Sequence, residues 1–195
     1  MKKIGLYFGT FNPIHKGHLT LGNYFAQNTD LNEVWFVVTP QNPFKQNDIL
    51  LEDHHRLEMV RLAIEDQPYL KVSEIEFDRP RPSYTIDTIR HLIKQDSKTS
   101  FVLLMGEDNI LHFDQWKGYL SILEQIEIYV YPRKHEGPIP MIFQNHEKIR
   151  LINAPKLAFA SEKIRKKIEE GSSVQSLMPK KSWSYLEEMG FYKTR

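Results

Sequence analysis

Short apolar runs alternate with amphipathic stretches along almost the whole chain. "KIGLYF" (3–8), "EVWFVV" (33–38), "LKVSEIEF" (70–77), "SFVLLM" (100–105), "IEIYVY" (126–131) and "KIRLIN" (148–153) read as strands. Between them, 17–28, 53–66, 84–96 and a shorter stretch near 114–124 carry helical patterns. In 84–96 the apolar residues Ile86, Ile89, Leu92 and Ile93 recur at three-to-four spacing, which puts them on one helix face. "FVLLM" is apolar on both sides, as a strand buried in a parallel sheet should be. Strands alternating with helices predict a sheet covered on both faces. Two further helices, 161–170 and 179–190, follow with no strand between them. The pattern predicts one α/β domain over 1–195, a doubly wound and mainly parallel sheet with a helical tail from 161. The loop "TPQNPFKQND" (39–48) is longer than its neighbours, and such loops tend to carry function.

Composition narrows the partners. The chain has 195 residues, a net charge of +1 and no cysteine. Balanced charge gives no global field for nucleic acid or an anionic membrane, so any anion site has to be local. The absence of cysteine removes disulfides, thiolate nucleophiles and cysteine-based zinc sites, and it fits the cytoplasm. The opening "MKKIGLYFGTF" turns polar by Asn12, too early for a secretory leader. No apolar run approaches the ~20 residues that span a bilayer. A cytoplasmic protein, with a homo-oligomer possible, is the expectation.

The stretch "GTFNPIHKGH" (9–18) sits at the turn between the first strand and the first helix. In an open parallel sheet, ligands bind outside the carboxyl ends of the strands, near such a turn. Gly9 lets backbone approach a ligand closely, and Pro13 stiffens the loop. His15 and His18 fall at the start of the helix, where unpaired N–H groups and the dipole favour an anion. Two imidazoles there donate hydrogen bonds to phosphate oxygens without permanent charge, and Gly17 leaves room between them. The structural alternative is that one histidine packs and the other caps the helix. The glycine spacing is not that of a dinucleotide oxidoreductase, so a redox cofactor is not expected.

This stretch resembles the signature loop of the nucleotidyltransferase superfamily, a Rossmann-like fold whose members transfer a nucleoside monophosphate from a triphosphate. The resemblance implies that His15 and His18 are catalytic and touch the triphosphate, with Gly9, Thr10 and Phe11 beside it. "RPSYTIDTIRHL" (81–92) and "MGEDNILHFDQWKGY" (105–119) resemble segments of the bacterial nicotinate-nucleotide adenylyltransferases, and the similarity extends over essentially the whole chain. It implies that Gly106 and Asp108 meet ATP, that Asp108 also orients a ribose hydroxyl, and that Lys45 holds the mononucleotide phosphate. Tyr84, Thr85 and Trp116 would take the nicotinate ring and its carboxylate. The family's late phosphate motif reads "FASEKIR" (159–165) here, keeping Ser161 and Arg165 but placing Glu162 where a threonine is usual. Locally, "SYTIDTI" also reads as a plain helix start with Ser83 as N-cap, Trp116 as core and Lys45 as an exposed loop lysine.

The implied reaction joins nicotinate mononucleotide to ATP, with Mg²⁺ arriving on ATP rather than in a protein cage. The remaining histidines (His54, His55, His91, His112, His135 and His146) show no zinc spacing and read as surface or capping residues. Three alternatives stay open: nicotinamide mononucleotide as acceptor, phosphopantetheine as acceptor, and a nucleotide-binding module without catalysis.

Overall fold

Leu6 and Tyr7 are neighbours in sequence, yet they belong to hydrophobic clusters on opposite faces of a sheet. Val102 and Leu103, and Tyr129 and Val130, divide the same way, because strand side chains alternate. The computed structural model describes residues 1–40, 50–157 and 160–193. Its strands are β1 (Lys2–Gly9), β2 (Glu33–Val38), β3 (Leu70–Ser73), β4 (Thr99–Gly106), β5 (Glu127–Tyr131) and β6 (Ile149–Leu151). They form one sheet in the order β3-β2-β1-β4-β5-β6, with every neighbouring pair parallel. The chain steps outward from β1 to β3 and returns to lay β4 beside β1. The carboxyl ends of β1 and β4 therefore flank the point where the order reverses, where an open sheet of this kind leaves a crevice.

The helices are α1 (Lys16–Asn28), α2 (Asp53–Ile64), α3 (Thr85–Gln95), α4 (Glu107–Ile110), α5 (Tyr119–Gln125), α6 (Met141–Gln144), α7 (Ser161–Glu169) and α8 (Lys180–Met189). Leu21 and Phe25 of α1, Leu57 and Val60 of α2, Ile164 of α7 and Leu186 of α8 share one cluster. Ile86 and Ile89 of α3, Ile122 of α5 and Phe143 of α6 share the other. The expected doubly wound α/β architecture is thus present, and the sheet is parallel throughout. The tail helices are integral to one face: the buried Ser182 hydroxyl donates to Met59 O at 2.7 Å, locking α8 to α2. No helix among the described residues is long and apolar enough to cross a membrane.

Three local expectations need correction. The strand expected over 70–77 stops at Ser73, and the chain turns through Glu74–Phe77, with Phe77 N–H donating to Glu74 O at 2.8 Å. The turn carries Glu76 inward, where its buried carboxylate accepts from Ser83 Oγ at 2.9 Å and Thr88 Oγ1 at 2.7 Å. The helix expected near 114–124 is split into a 3₁₀ turn, Phe113–Gln115, and α5. Gly118 separates them at φ 67, a left-handed conformation that costs glycine little. The four-residue helices α4 and α6 were not anticipated, being too short to show a helical period.

At the opposite end of the sheet from the crevice, Lys3 Nζ reaches Asp30 Oδ2, Glu127 Oε1 and Tyr129 Oη at 2.8, 2.8 and 2.9 Å. Arg150 Nε joins Glu127 at 3.3 Å. This network ties β1, β5 and β6 together at their amino ends.

Candidate active site

The loop after β1 is set by its own side chains. His15 is the N-cap of α1, and the two imidazoles cap reciprocally. His18 N–H donates to His15 Nδ1 at 3.4 Å, and His15 N–H donates to His18 Nδ1 at 3.3 Å. The rings stack, centroids 3.7 Å apart and 18° from parallel. One imidazole caps and one packs, as the structural alternative had it, but here each does both. A ring nitrogen that accepts an N–H cannot hold the proton, so both neutral rings carry it on Nε2. Burial, with Arg133 nearby, pushes His15 down to about 4. Burial, His15 and Arg133 hold His18 well below the ordinary histidine value. Near neutral pH both rings are uncharged N–H donors.

Glycine at position 9 also has a packing reason. A Cβ there would lie 2.9 Å from the ring of Phe11, so the ring occupies the space that glycine leaves. Phe11 itself is buried, sits at φ 45, and meets His18 edge-on with centroids 5.1 Å apart. Its side chain braces His18 from inside, leaving only backbone for a ligand at that position. Thr10 presents its carbonyl to a guanidinium, Arg56 Nη1, at 2.6 Å.

The segment at 160–165 docks onto the same loop. Ser161 Oγ donates to Pro13 O at 2.9 Å, and Arg165 Nη1 donates to Asn12 O at 2.7 Å. The N-terminus of α7 is thereby brought beside the paired histidines, while Glu162 is exposed. Phe159, at the start of the motif, lies outside the described residues, as does Lys45.

Across the reversal point, Gly106 ends β4 and Asp108 follows it. A Cβ on Gly106 would stand 2.3 Å from Asp108 Oδ1 and 2.6 Å from Arg133 Cδ, so these two side chains are packed over the glycine. Asp108 pairs with Arg133 Nε at 3.4 Å. Burial works against the Arg133 charge, but Asp108 and Tyr131 hold its pKa above the ordinary value. Tyr84 is the N-cap of α3, without a side-chain cap, so Ser83 does not cap the helix as the local alternative had it. Lys117 Nζ lies 4.3 Å from the Tyr84 ring centroid and 3.0 Å from Asp87 Oδ2. Half-buried Trp116 meets Phe113 edge-on, and a Cβ on Gly118 would stand 3.2 Å from Ile86 of α3. Tyr84, Thr85 and Trp116 therefore stand on adjoining elements.

Comparison with known proteins identifies the whole. The cytidylyltransferase-like family model matches residues 6–175. A probable nicotinate-nucleotide adenylyltransferase of Flavobacterium psychrophilum is 50% identical over 191 residues, covering 98% of this chain and 99% of the relative. Its counterpart in Christiangramia forsetii is 48% identical over 192 residues, covering 98% and 99%. The chain belongs to the nicotinate-nucleotide adenylyltransferase family. In fold it is similar to the Plasmodium falciparum nicotinic acid mononucleotide adenylyltransferase complexed with NaAD, at 20% identity and a TM-score of 0.84 over 98% of each chain.

Two residues of this adenylyltransferase-family site escaped the sequence reading. Arg133 follows β5 by two residues, so a cation directly after a strand's carboxyl end was the signal that could have found it. Arg56 sits inside α2 among residues taken for surface, yet it is completely buried. A helical register that puts an arginine in line with Leu57 and Val60 was its trace. Of the other histidines, His146 caps locally, accepting from Lys148 N–H at 3.2 Å. His135 pairs through Nε2 with Glu107 at 3.2 Å, while its buried Nδ1 has no hydrogen-bond partner. Among the described residues, one group could hold a metal ion: Glu52, His54 and His55, with ligand atoms within 4.8 Å of one another. It lies on the surface at the start of α2.

Proposed function

We propose that this chain transfers the adenylyl group of ATP to nicotinate mononucleotide, releasing pyrophosphate and forming the dinucleotide in cytoplasmic NAD biosynthesis. The observation that carries the reading is the reciprocal cap of His15 and His18. It fixes two neutral N–H donors at a helix N-terminus, at the reversal point of the sheet. Family membership supplies the reaction class.

The acceptor's own phosphate oxygen attacks the α-phosphorus, and the bond from that phosphorus to the bridging oxygen breaks. Pyrophosphate leaves with the electron pair. No protein nucleophile is required, so positioning and charge stabilisation carry the rate. His15 and His18 donate to the α- and β-phosphates. Arg133 supplies the fixed positive charge that the neutral imidazoles lack. Ser161, Arg165 and the N-terminus of α7 hold the departing pyrophosphate; the hydrogen bonds of Ser161 and Arg165 to loop carbonyls set the distance of that clamp. Tyr84 and Trp116 flank the pyridine ring, and backbone donors near Thr85 and 116–119 read its carboxylate. Mg²⁺ bound to ATP would neutralise part of the triphosphate charge. Asp108 is paired with Arg133, and Glu107 with His135.

Pyrophosphate release from ATP and Mg²⁺, with the acid and the amide mononucleotide in parallel, tests this. Strong preference for the acid is expected. Equal use of both would remove the carboxylate-reading role of the Thr85 and Trp116 region. No release with either would remove the reaction.

A further inference from the structure

Arg56 is fully buried within α2 and uses all five of its N–H donors. Nε donates to Leu51 O at 2.8 Å. Nη1 donates to Thr10 O at 2.6 Å and Thr39 O at 2.9 Å. Nη2 donates to Pro40 O at 3.1 Å and to Asp53 Oδ1. Four of the five acceptors are backbone carbonyls, and they come from different loops: Thr10 from the triphosphate loop, Thr39 and Pro40 after β2, and Leu51 ahead of α2. Asp53 continues the chain of contacts, since its Oδ2 accepts from Arg81 Nη2 at 2.6 Å, just before Ser83, Tyr84 and Thr85. Asn12 closes the circuit by accepting from Leu51 N–H through Oδ1 at 3.2 Å.

A buried charge is expensive, and a fold that only needed to fill this space would do so with a methionine or leucine. The guanidinium is distinguished by its rigid fork, which sets the relative positions of its acceptors; an ammonium has three donors and no fixed plane. We propose that Arg56 is a positioning residue for adenylyl transfer. It registers the triphosphate loop against the loop after β2 and, through Asp53 and Arg81, against the start of α3. It touches neither substrate. This rests on the reaction proposed above, and the displacement it guards against is small: an error of about 1 Å in alignment can cost on the order of 100-fold in rate.

The test compares Arg56→Lys and Arg81→Gln with wild type, using Tm, kcat, both KM values, and calorimetric binding of an unhydrolysable ATP analogue. Arg56→Lys is expected to lower kcat at least about tenfold, to raise both KM values and to weaken analogue binding, at temperatures well below its Tm. Arg81→Gln, which cuts only the link to α3, is expected to raise the mononucleotide KM while leaving the ATP KM and analogue binding unchanged. A purely structural role would lower Tm and the active fraction without moving either KM or the analogue's affinity, and that result overturns the proposal. Arg56→Lys with wild-type kinetics overturns it equally. Analogue binding is read without an acceptor, so inactivity of the wild type on nicotinate mononucleotide sinks the proposed reaction and leaves this comparison readable.

Discussion

The two imidazoles of the first loop work as a pair because each fixes the other's tautomer. Their lowered pKa values also make them a stability device. A histidine whose folded pKa lies below its unfolded value takes up fewer protons in the folded state as pH falls. Stability is therefore complete above about pH 6.5 and is lost down to about pH 4 for His15, with His18 acting in the same direction. The shift of His15 alone corresponds to on the order of 3 kcal/mol across that window. Denaturant titrations at pH 7 and pH 5 should show roughly half of this loss in wild type and a distinctly smaller one in His15→Gln. Equal losses would mean that the protonation penalty lies elsewhere. Arg133 sharpens the same point, because its charge helps keep both rings neutral and so keeps them donors rather than cations.

At the scale of elements, the site is a set of loops held at fixed distances by other elements. Gly118 is the clearest case, since its backbone is left-handed and Ile86 stands 3.2 Å from where a Cβ would project. Gly118→Ala should strain that backbone by roughly 1–2 kcal/mol and push the Trp116 segment off α3. Its expected signature is a raised mononucleotide KM with an unchanged ATP KM. A variant with both constants unmoved would separate Trp116 from the acceptor. The elements themselves were largely legible in the sequence, because a buried parallel sheet writes apolar strands between amphipathic helices. The failures have physical causes. Glu76 reads as a strand position, but its buried hydrogen bonds turn the chain inward. Gly118 breaks a helix that composition alone would continue. Among the candidate site residues, the two histidines were visible as a pattern at a helix start, and Ser161 and Arg165 through the resemblance to the family's late phosphate motif. Arg56 and Arg133 were not, because their roles depend on which loops the fold brings within reach of a guanidinium.

Across the whole molecule, the charged network of Lys3, Asp30, Glu127, Tyr129 and Arg150 lies at the end of the sheet remote from the crevice. Lys3→Met should cost about 1–3 kcal/mol, the worth of charge-assisted hydrogen bonds, and lower Tm by roughly 2–4 °C per kcal/mol. Its kcat at 25 °C should match wild type. A kinetic defect there would show that the two ends of the sheet communicate. The crevice end depends on a different long-range contact: Tyr192 Oη donates to Asn12 Oδ1 at 2.6 Å, across 180 residues. On the ribosome, at about 5–20 residues per second, position 192 is made roughly 9–36 s after position 12. Through that interval a nascent chain can build its central strands and stack its two histidines, yet the loop that presents them still lacks this anchor. Truncated products of translation that stop before that tyrosine would then carry the family's signature sequence without its finished loop.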